Sequence, residues 1–349
     1  MESGSIYIGS DPSSTTDDAS SNTSLGGTAL DAITTGDFNV AIGSRALSSN
    51  TTGQFNTASG YNALYSNTTG NQNTASGSDA LSANTTGGSN VAFGKYASYR
   101  STTGNWNTSV GYQALFDNTT GDHNLALGSN ALSANTTADY NVAIGSNALS
   151  ANTTGSRNVV SGHDAGDLIT TGSNNVILGN SADPSANNAT NQIVIGYNAT
   201  GIGDNEITLG NSSITTLRAQ VTSITSLSDK RDKTEIVSLT EGLDFIKQLK
   251  PVSFTWDTRD KAKVGIKSAG FIAQDLLALQ QASLIGENLD LVSEVNPEKL
   301  EARYANLLPV IVKAMQEESA MKDKEIADLK KSVRLLQEQM KELINQSKE

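Results

Sequence analysis

Asp37-Phe38-Asn39-Val40-Ala41-Ile42-Gly43-Ser44-Arg45-Ala46-Leu47-Ser48-Ser49-Asn50-Thr51-Thr52-Gly53 is one unit of a repeat, and its period decides the fold. The asparagine of Asn39 returns at 56, 73, 90, 107, 124, 141, 158 and 175, each time with a glycine four residues later and an alanine seven later. Self-similarity at 17 residues predicts a solenoid-like stack in which each unit buries its apolar face against its neighbours. Val40 and Ile42 alternate with Ala41, which predicts a short strand, while Gly43 and Asn50-Thr51-Thr52-Gly53 predict corners. The glycine column from Gly43 to Gly179 marks either a backbone conformation costly for a side chain or a close approach of another strand. The alanine column from Ala46 to Ala182 marks a contact with room for no more than a methyl group.

Working outward, Gly9, Gly26, Gly196 and Gly210 extend the register imperfectly, with Gly210 three residues early, so the terminal coils are degenerate caps. Prolines occur in this region only at Pro12 and Pro184, which leaves the interior N–H groups free for ladders between coils. About ten coils at ~4.8 Å each predict a rod of ~45–50 Å. Thr57-Ala58-Ser59 puts polar groups where Val40 and Ile42 stood. A single coil is therefore expected to lack a sufficient core, and three chains are expected to wind around a common axis. The fold class expected for residues 1–213 is an all-β trimeric parallel β-roll or solenoid.

Composition narrows the function. The chain has 349 residues and a net charge of -12. Up to Leu217, Arg45, Lys95, Arg100 and Arg157 face fifteen carboxylates, so the array carries nearly all the net charge. An acidic surface repels phosphate backbones, which removes the basis for nucleic-acid binding. There is no cysteine, and His123 and His163 are the only histidines, so neither a thiolate nor a multi-histidine metal site is expected, and no cofactor. No apolar run reaches the roughly 20 residues needed to cross a bilayer, and the first ten residues lack the features of a signal peptide, so neither export nor membrane insertion is expected.

The residue before each repeat asparagine varies: Phe38, Phe55, Gln72, Ser89, Trp106, His123, Tyr140, Arg157 and Asn174. Four of these nine are Phe, Trp or Tyr in a chain with 5% aromatics. Phe38, Phe55, Trp106 and Tyr140 are either exposed rings available to a receptor or side chains covering the corner between coils. Tyr61, Tyr65, Tyr96, Tyr99, Tyr112 and Phe116 form a second cluster open to the same two readings. The Asn-Thr-Thr runs match the N-glycosylation pattern but are read as turns. Asp37, Asp79, Asp117 and Asp122 form no recurrent acid/base pair. Asn-Val-Ala-Ile-Gly followed by Ser-x-Ala resembles the head repeats of trimeric autotransporter adhesins, which are left-handed parallel β-rolls, and repeats of bacteriophage tail fibres. That resemblance implies a trimeric surface-binding rod.

Residues 214–227 are rich in Thr and β-branched residues and are expected to form a triple-stranded β neck, with a short helix as the alternative. Ser228-Asp229-x-Arg231-x-Lys233-x-x-Ile236 follows. In order come Gly242-Leu243-Asp244-Phe245-Ile246, Leu249-Lys250-Pro251-Val252-Ser253-Phe254-Thr255-Trp256, Gly270-Phe271-Ile272-Ala273-Gln274-Asp275 and Tyr304-Ala305-Asn306-Leu307-Leu308-Pro309-Val310. These blocks resemble the intramolecular chaperone domain of endosialidase-type tail spikes, the S74 peptidase family. The resemblance implies that three such domains bring three fibre chains together, after which each cuts its own chain between Leu227 and Ser228. Carried over residue by residue, Ser228 is the nucleophile and Lys233 the base, with Asp229 and Arg231 supporting the motif. A desolvated lysine can take the proton of a serine hydroxyl, and Arg231 nearby would favour its neutral form. The plainer reading makes Ser228-Asp229 a helix N-cap beside solvated charges.

From Val312 on, Met315, Ile326, Leu329, Val333, Leu336, Met340 and Leu343 recur in steps of three and four, which predicts a coiled coil. The expected organisation is a shaft (1–213), a neck (214–227), an α+β chaperone domain (228–311) and a coiled-coil helix (312–349). The expected function is a structural and receptor-binding fibre of a phage tail, assembled in the host cytoplasm. It would be a homotrimer docked on a tail or baseplate protein, bind a host glycan or protein, and cleave itself once. A tail-spike polysaccharide depolymerase and a trimeric cell-surface adhesin are the alternatives. A membrane-tethered transcription factor, which can carry a related domain, lacks its basic DNA-binding region here.

Overall fold

The computed structural model describes residues 5–9, 19–214, 216–218, 228–259, 261, 263–294, 297 and 300–346. Two compact units emerge, residues 1–215 and 216–349.

The first unit is a parallel β-solenoid. Its thirteen short strands run in chain order in one sheet, from β1 (Ile6–Gly9) and β2 (Thr23–Gly26) through β3 (Val40–Ile42) and β4 (Thr57–Ser59) to β12 (Ile193–Ile195) and β13 (Ile207–Leu209). Val40 lies opposite Thr57 and Ala41 opposite Ala58, a register of 17. The last turn is shorter, with Ile193 opposite Ile207, as the early Gly210 requires. At the usual strand spacing the stack is about 58 Å long.

The strands face the opposite way from the sequence expectation. Ala41, Ala58 and Ala75 point inward and are fully buried, whereas Ile42 is 42% exposed. Thr57 and Ser59 therefore sit on the outer side and remove nothing from the core. With Ala46, Leu47 and their equivalents in the regular coils also at 0–1% exposure, these coils close their core within one chain. The expectation that a 17-residue coil lacks a core of its own is corrected.

Asparagine supplies what so small a core needs. Asn56 donates its backbone N–H to Asn39 Oδ1 (3.0 Å) and its Nδ2 to Gly70 O (2.8 Å), and Asn73 repeats both bonds one coil on. An uncharged side chain with an acceptor and a donor can satisfy buried backbone groups on both sides of a corner. The expected column of Asn39, Asn56 and Asn73 is thus a hydrogen-bonded ladder. A second ladder joins Asn50, Asn67 and Asn84 through Nδ2-to-Oδ1 bonds of 2.8 Å. The corners need left-handed backbone even at non-glycine positions, as at Phe55 (φ 59°), Asn62 (55°) and Leu64 (52°). Gly43 combines φ 128° with an approach so close that a Cβ would lie 2.5 Å from Gly60 O, so both reasons foreseen for the glycine column hold.

Two adjacent coils near the middle break the pattern with serines. Ser98 replaces the core leucine and Ser101 the second asparagine in one, and Ser109 replaces the strand alanine in the next. Ser98 Oγ donates to Ser109 Oγ (2.9 Å), but no protein group pairs with the buried Asn84 Oδ1 or Ser101 Oγ. The apolar core accordingly falls into two clusters, Ala19 to Ala97 and Ala114 to Ala199.

In the second unit, α1 (Leu243–Ile246) precedes a hairpin of β14 (Val252–Asp257) and β15 (Val264–Gly270), then α2 (Ala273–Ala282), α3 (Gly286–Leu289), the short pair β16 (Val292–Ser293) and β17 (Glu301–Ala302), and α4 (Leu308–Gln346). Phe245, Leu276, Leu291, Leu307 and Val310 form its core. The helix begins before the expected boundary at 312, and its first turns belong to that core, with Val310 and Ala314 buried. Beyond them the expected seam is exposed in the single chain, Leu329 and Leu336 at 64% and 63%. No described helix is long and apolar enough to cross a membrane. Of the expected neck, residues 215 and 219–227 lie outside the described residues, and 214 and 216–218 form no strand or helix.

Candidate functional site

A 3₁₀ turn, Lys230–Asp232, builds the first candidate site. Asp229 caps it by accepting the Arg231 N–H (2.9 Å), and Lys233 closes it by donating its N–H to Lys230 O (3.2 Å). Residues 228 and 233 thereby return to one side, and Lys233 Nζ meets Ser228 Oγ at 2.6 Å. The N-cap reading and the dyad reading describe one geometry, with Asp229 as the cap. That separation suits transfer of the hydroxyl proton to a neutral amine.

Asp229 has a second task. Arg231 Nε and Nη2 clamp its carboxylate at 3.1 and 2.6 Å, and this pairing holds the Asp229 carboxyl below its ordinary range. Because Arg231 spends its charge on Asp229, the expected effect of Arg231 on Lys233 has no geometric support. Ser228 and Lys233 are both exposed in the single chain, not desolvated. Leu227, the other side of the expected scissile bond, lies outside the described residues. The remaining motif blocks frame this unit. Leu243 N–H donates to Glu317 Oε2 (2.7 Å), tying α1 to α4, and the Phe271 N–H donates to Tyr304 Oη (3.2 Å).

The second candidate site is the corner column of the solenoid. Phe38, Phe55, Trp106 and Tyr140 are 52–58% exposed, which fits a surface role. Their ring faces, however, are largely occupied by one another. Phe38 stacks on Phe55 (5.1 Å, 7°), Trp106 on His123 (4.8 Å, 8°), and His123 on Tyr140 (4.9 Å, 6°), with the Arg157 guanidinium 5.9 Å from the Tyr140 ring. The rings are thus packed face to face along the corner and exposed at their edges. The second aromatic cluster also packs on itself, Tyr99 on Phe116 and Tyr96 edge-on to Tyr99, Tyr112 and Phe116.

The scattered carboxylates serve the ladders. Asp37 accepts the Ser20 N–H (2.7 Å), Asp79 accepts from Asn62 Nδ2 (2.9 Å), Asp122 accepts the Asn105 N–H (2.6 Å) and Asp117 pairs with Arg100 (2.6 Å). The sequence reading missed Asp167 and Asp183. Burial, followed by repulsion from Asp167, raises the pKa of Asp183; burial followed by Asp164 raises that of Asp167. Their separation of 16, close to one coil, was the available signal. No group of three or more metal-ligating side chains occurs among the described residues.

Residues 228–284 match the family model Peptidase_S74, described as chaperone of endosialidase. The match starts at the serine of the Ser228–Lys233 contact and takes in α1, the hairpin and α2; the Tyr304–Val310 block lies beyond it. No curated protein and no solved structure matches the chain.

Proposed function

We propose that the chain is a homotrimeric phage tail fibre whose solenoid contacts the host surface and whose C-terminal unit assembles the trimer and then severs the chain at Leu227–Ser228. A β-solenoid followed by a chaperone-of-endosialidase segment fits a phage tail fibre or spike-type protein. The observation that carries the cleavage reading is the 2.6 Å contact between Lys233 Nζ and Ser228 Oγ.

The hydroxyl and the scissile nitrogen belong to the same residue, so attack on the Leu227 carbonyl carbon passes through a five-membered ring. Neutral Lys233 takes the hydroxyl proton and returns it to the departing Ser228 nitrogen, leaving an ester between Leu227 and Ser228 Oγ. Water then hydrolyses the ester, releasing a Leu227 carboxylate and restoring the serine hydroxyl. Ser228 and Lys233 are exposed in the single chain, and neighbouring chains packed over the turn would exclude water from the reacting atoms. Cleavage thus follows assembly.

Support for a trimer comes from the outer strand columns. Val40, Val91, Leu125, Val142 and Val176 form one, and Ile42, Phe93, Val110, Leu127 and Ile144 another; among the described residues neither column contains a charge. This is a surface on which copies can pack side by side. The exposed seam of α4 is the second such surface.

The test is a denaturing gel beside native mass measurement of the wild type, Ser228→Ala and Lys233→Ala. Wild type should yield a released fragment whose first residues are Ser228, Asp229 and Lys230, and both variants should stay full length and trimeric. A wild-type trimer that remains a single uncut band after prolonged incubation overturns the dyad.

A further inference from the structure

The geometry points to a saccharide slot in the corner column, between Phe55 and Trp106, that holds one uncharged pyranose at the level of Ser89. This inference rests on the host-contact reading of the solenoid and gives it a site and a ligand class.

The slot is defined by a break in an otherwise regular stack. Side chains of the corner column repeat at 4.8–5.1 Å wherever they are rings. Between the Phe38–Phe55 pair and the Trp106–His123–Tyr140 stack, two levels carry no ring: Gln72 and Ser89. The Trp106 face directed away from His123 therefore meets only a serine hydroxymethyl, with the planar Gln72 amide one level further. Two levels leave about 10 Å between the Trp106 ring and Gln72, so a six-membered ring placed midway contacts both at stacking distance. The backbone is already shaped for it, since Ser89 has φ 59°, the same value as Tyr140 and Gln72.

The neighbouring groups match an uncharged sugar. At the Ser89 level the preceding residue is Gly88, where other coils carry Gln54, Asn71, Asn105 or Asp122, so the corner is at its slimmest there. Ser89 Oγ donates to Gln72 Oε1 (3.2 Å), and Asn105 Oδ1 accepts the Gly88 N–H (2.9 Å). Amides and a hydroxyl beside an exposed indole offer hydrogen bonds to ring hydroxyls and an apolar face for the C–H side of the sugar. From Phe38 to Tyr140 neither the corner column nor the position before it carries a lysine or arginine, and Asp122 lies one level past Trp106, so an anionic sugar is disfavoured. A surface notch of about 620 Å³, lined by Thr52, Gln54, Phe55, Thr69, Asn71 and Gln72, lies on the Phe55 side of Gln72.

Trp106 and Trp256 are the only tryptophans, so full-length Trp256→Phe protein reports on Trp106 alone. Titration with maltotriose and chitotriose should give a saturable change in Trp106 emission, confirmed on wild type by saturation-transfer NMR, while sialyllactose should bind at least ten-fold more weakly. Ser89→Tyr completes the stack at a backbone conformation that Tyr140 already adopts, and should weaken binding of the neutral probes at least ten-fold without altering circular dichroism. No saturable response to either neutral trisaccharide, or an unchanged response in Ser89→Tyr, overturns the slot. Adsorption to host cells separates the two ideas. If Trp106→Ala lowers adsorption while neither trisaccharide binds, host contact stands and the slot falls. If the trisaccharides bind and Ser89→Tyr blocks them while adsorption is unchanged, the slot stands and host contact falls.

Discussion

Replacing Ser101 by asparagine joins the two halves of the second inner ladder. In the intact stretches each asparagine donates Nδ2 to the Oδ1 one coil earlier and to the carbonyl three residues on, as Asn67 does to Asn50 (2.8 Å) and Gly70 (3.0 Å). The pattern resumes at Asn135, which donates to Asn118 Oδ1 (2.8 Å). Asparagine at 101 gives the buried Asn84 Oδ1 a protein donor and offers Asn118 Nδ2 an acceptor. Satisfying a buried acceptor is worth about 1–3 kcal/mol, and each further hydrogen bond about 1 kcal/mol. Allowing for ordering a longer side chain, the expected net gain is about 2 kcal/mol, or roughly 30-fold slower hydrogen exchange of the amides on the coils around 84, 101 and 118. Thr57→Val, on the outer face of β4, serves as the control and should stay within about 0.5 kcal/mol of wild type. Exchange rates in Ser101→Asn equal to or faster than wild type would refute the claim that this coil is short of partners.

Gly94→Ala forces a Cβ to within 2.5 Å of Gly111 O at φ 132° and should cost about 4 kcal/mol in denaturant unfolding, whereas Gly27→Ala, where no atom lies within 4 Å, should cost less than about 1 kcal/mol. Asp183→Asn should raise the thermal midpoint at pH 7 by a few degrees. The folded pKa of Asp183 is raised, so its stabilising contribution is complete only below the unfolded value near 4 and is lost as pH rises through the folded one; the advantage of the variant should vanish in acid. For Glu317→Gln the sign is opposite. The Leu243 N–H, then Lys313, hold the Glu317 carboxyl low, so its contribution is present at neutral pH and is lost as pH falls through the folded value. Trp256-detected melts of Trp106→Phe protein should show the Gln variant less stable at pH 7 and equal to its parent in strong acid.

The period, the strand position and three columns of small or polar residues were legible because a repeat writes each structural demand many times. The phase of the strands was not. In a three-residue strand such as Val40–Ile42 both faces carry apolar side chains, and nothing local says that the smaller alanine faces the tighter space. From that error followed the view that one chain could not close its own core. The Ser228–Lys233 contact was legible only through the resemblance of the ordered blocks that follow it, since Ser228–Lys233 alone reads as readily as a helix cap beside solvated charges. The Glu317 contact with α1 was not, since its partner lies 74 residues away. Ring occupancy escaped for a further reason: composition shows that a corner is aromatic, but only the stacking distance shows whether its faces are free.

The register has a consequence for how such a chain can change. In the regular coils the bonds between coils run to residues 14 to 18 positions away, each to an immediately neighbouring coil. Duplication or deletion of 17 residues therefore returns every donor and acceptor to an equivalent environment, with no loop to rebuild and no long-range pairing to reset. Each such event alters reach by about 4.8 Å and leaves the junctions intact. A deletion that is not a whole number of coils forces a corner to be rebuilt, as in the shortened turn between Ile193 and Ile207. Length in this protein is a quantity that recombination can count, and the shortened final turn from Ile193 to Ile207 marks where the counting stops.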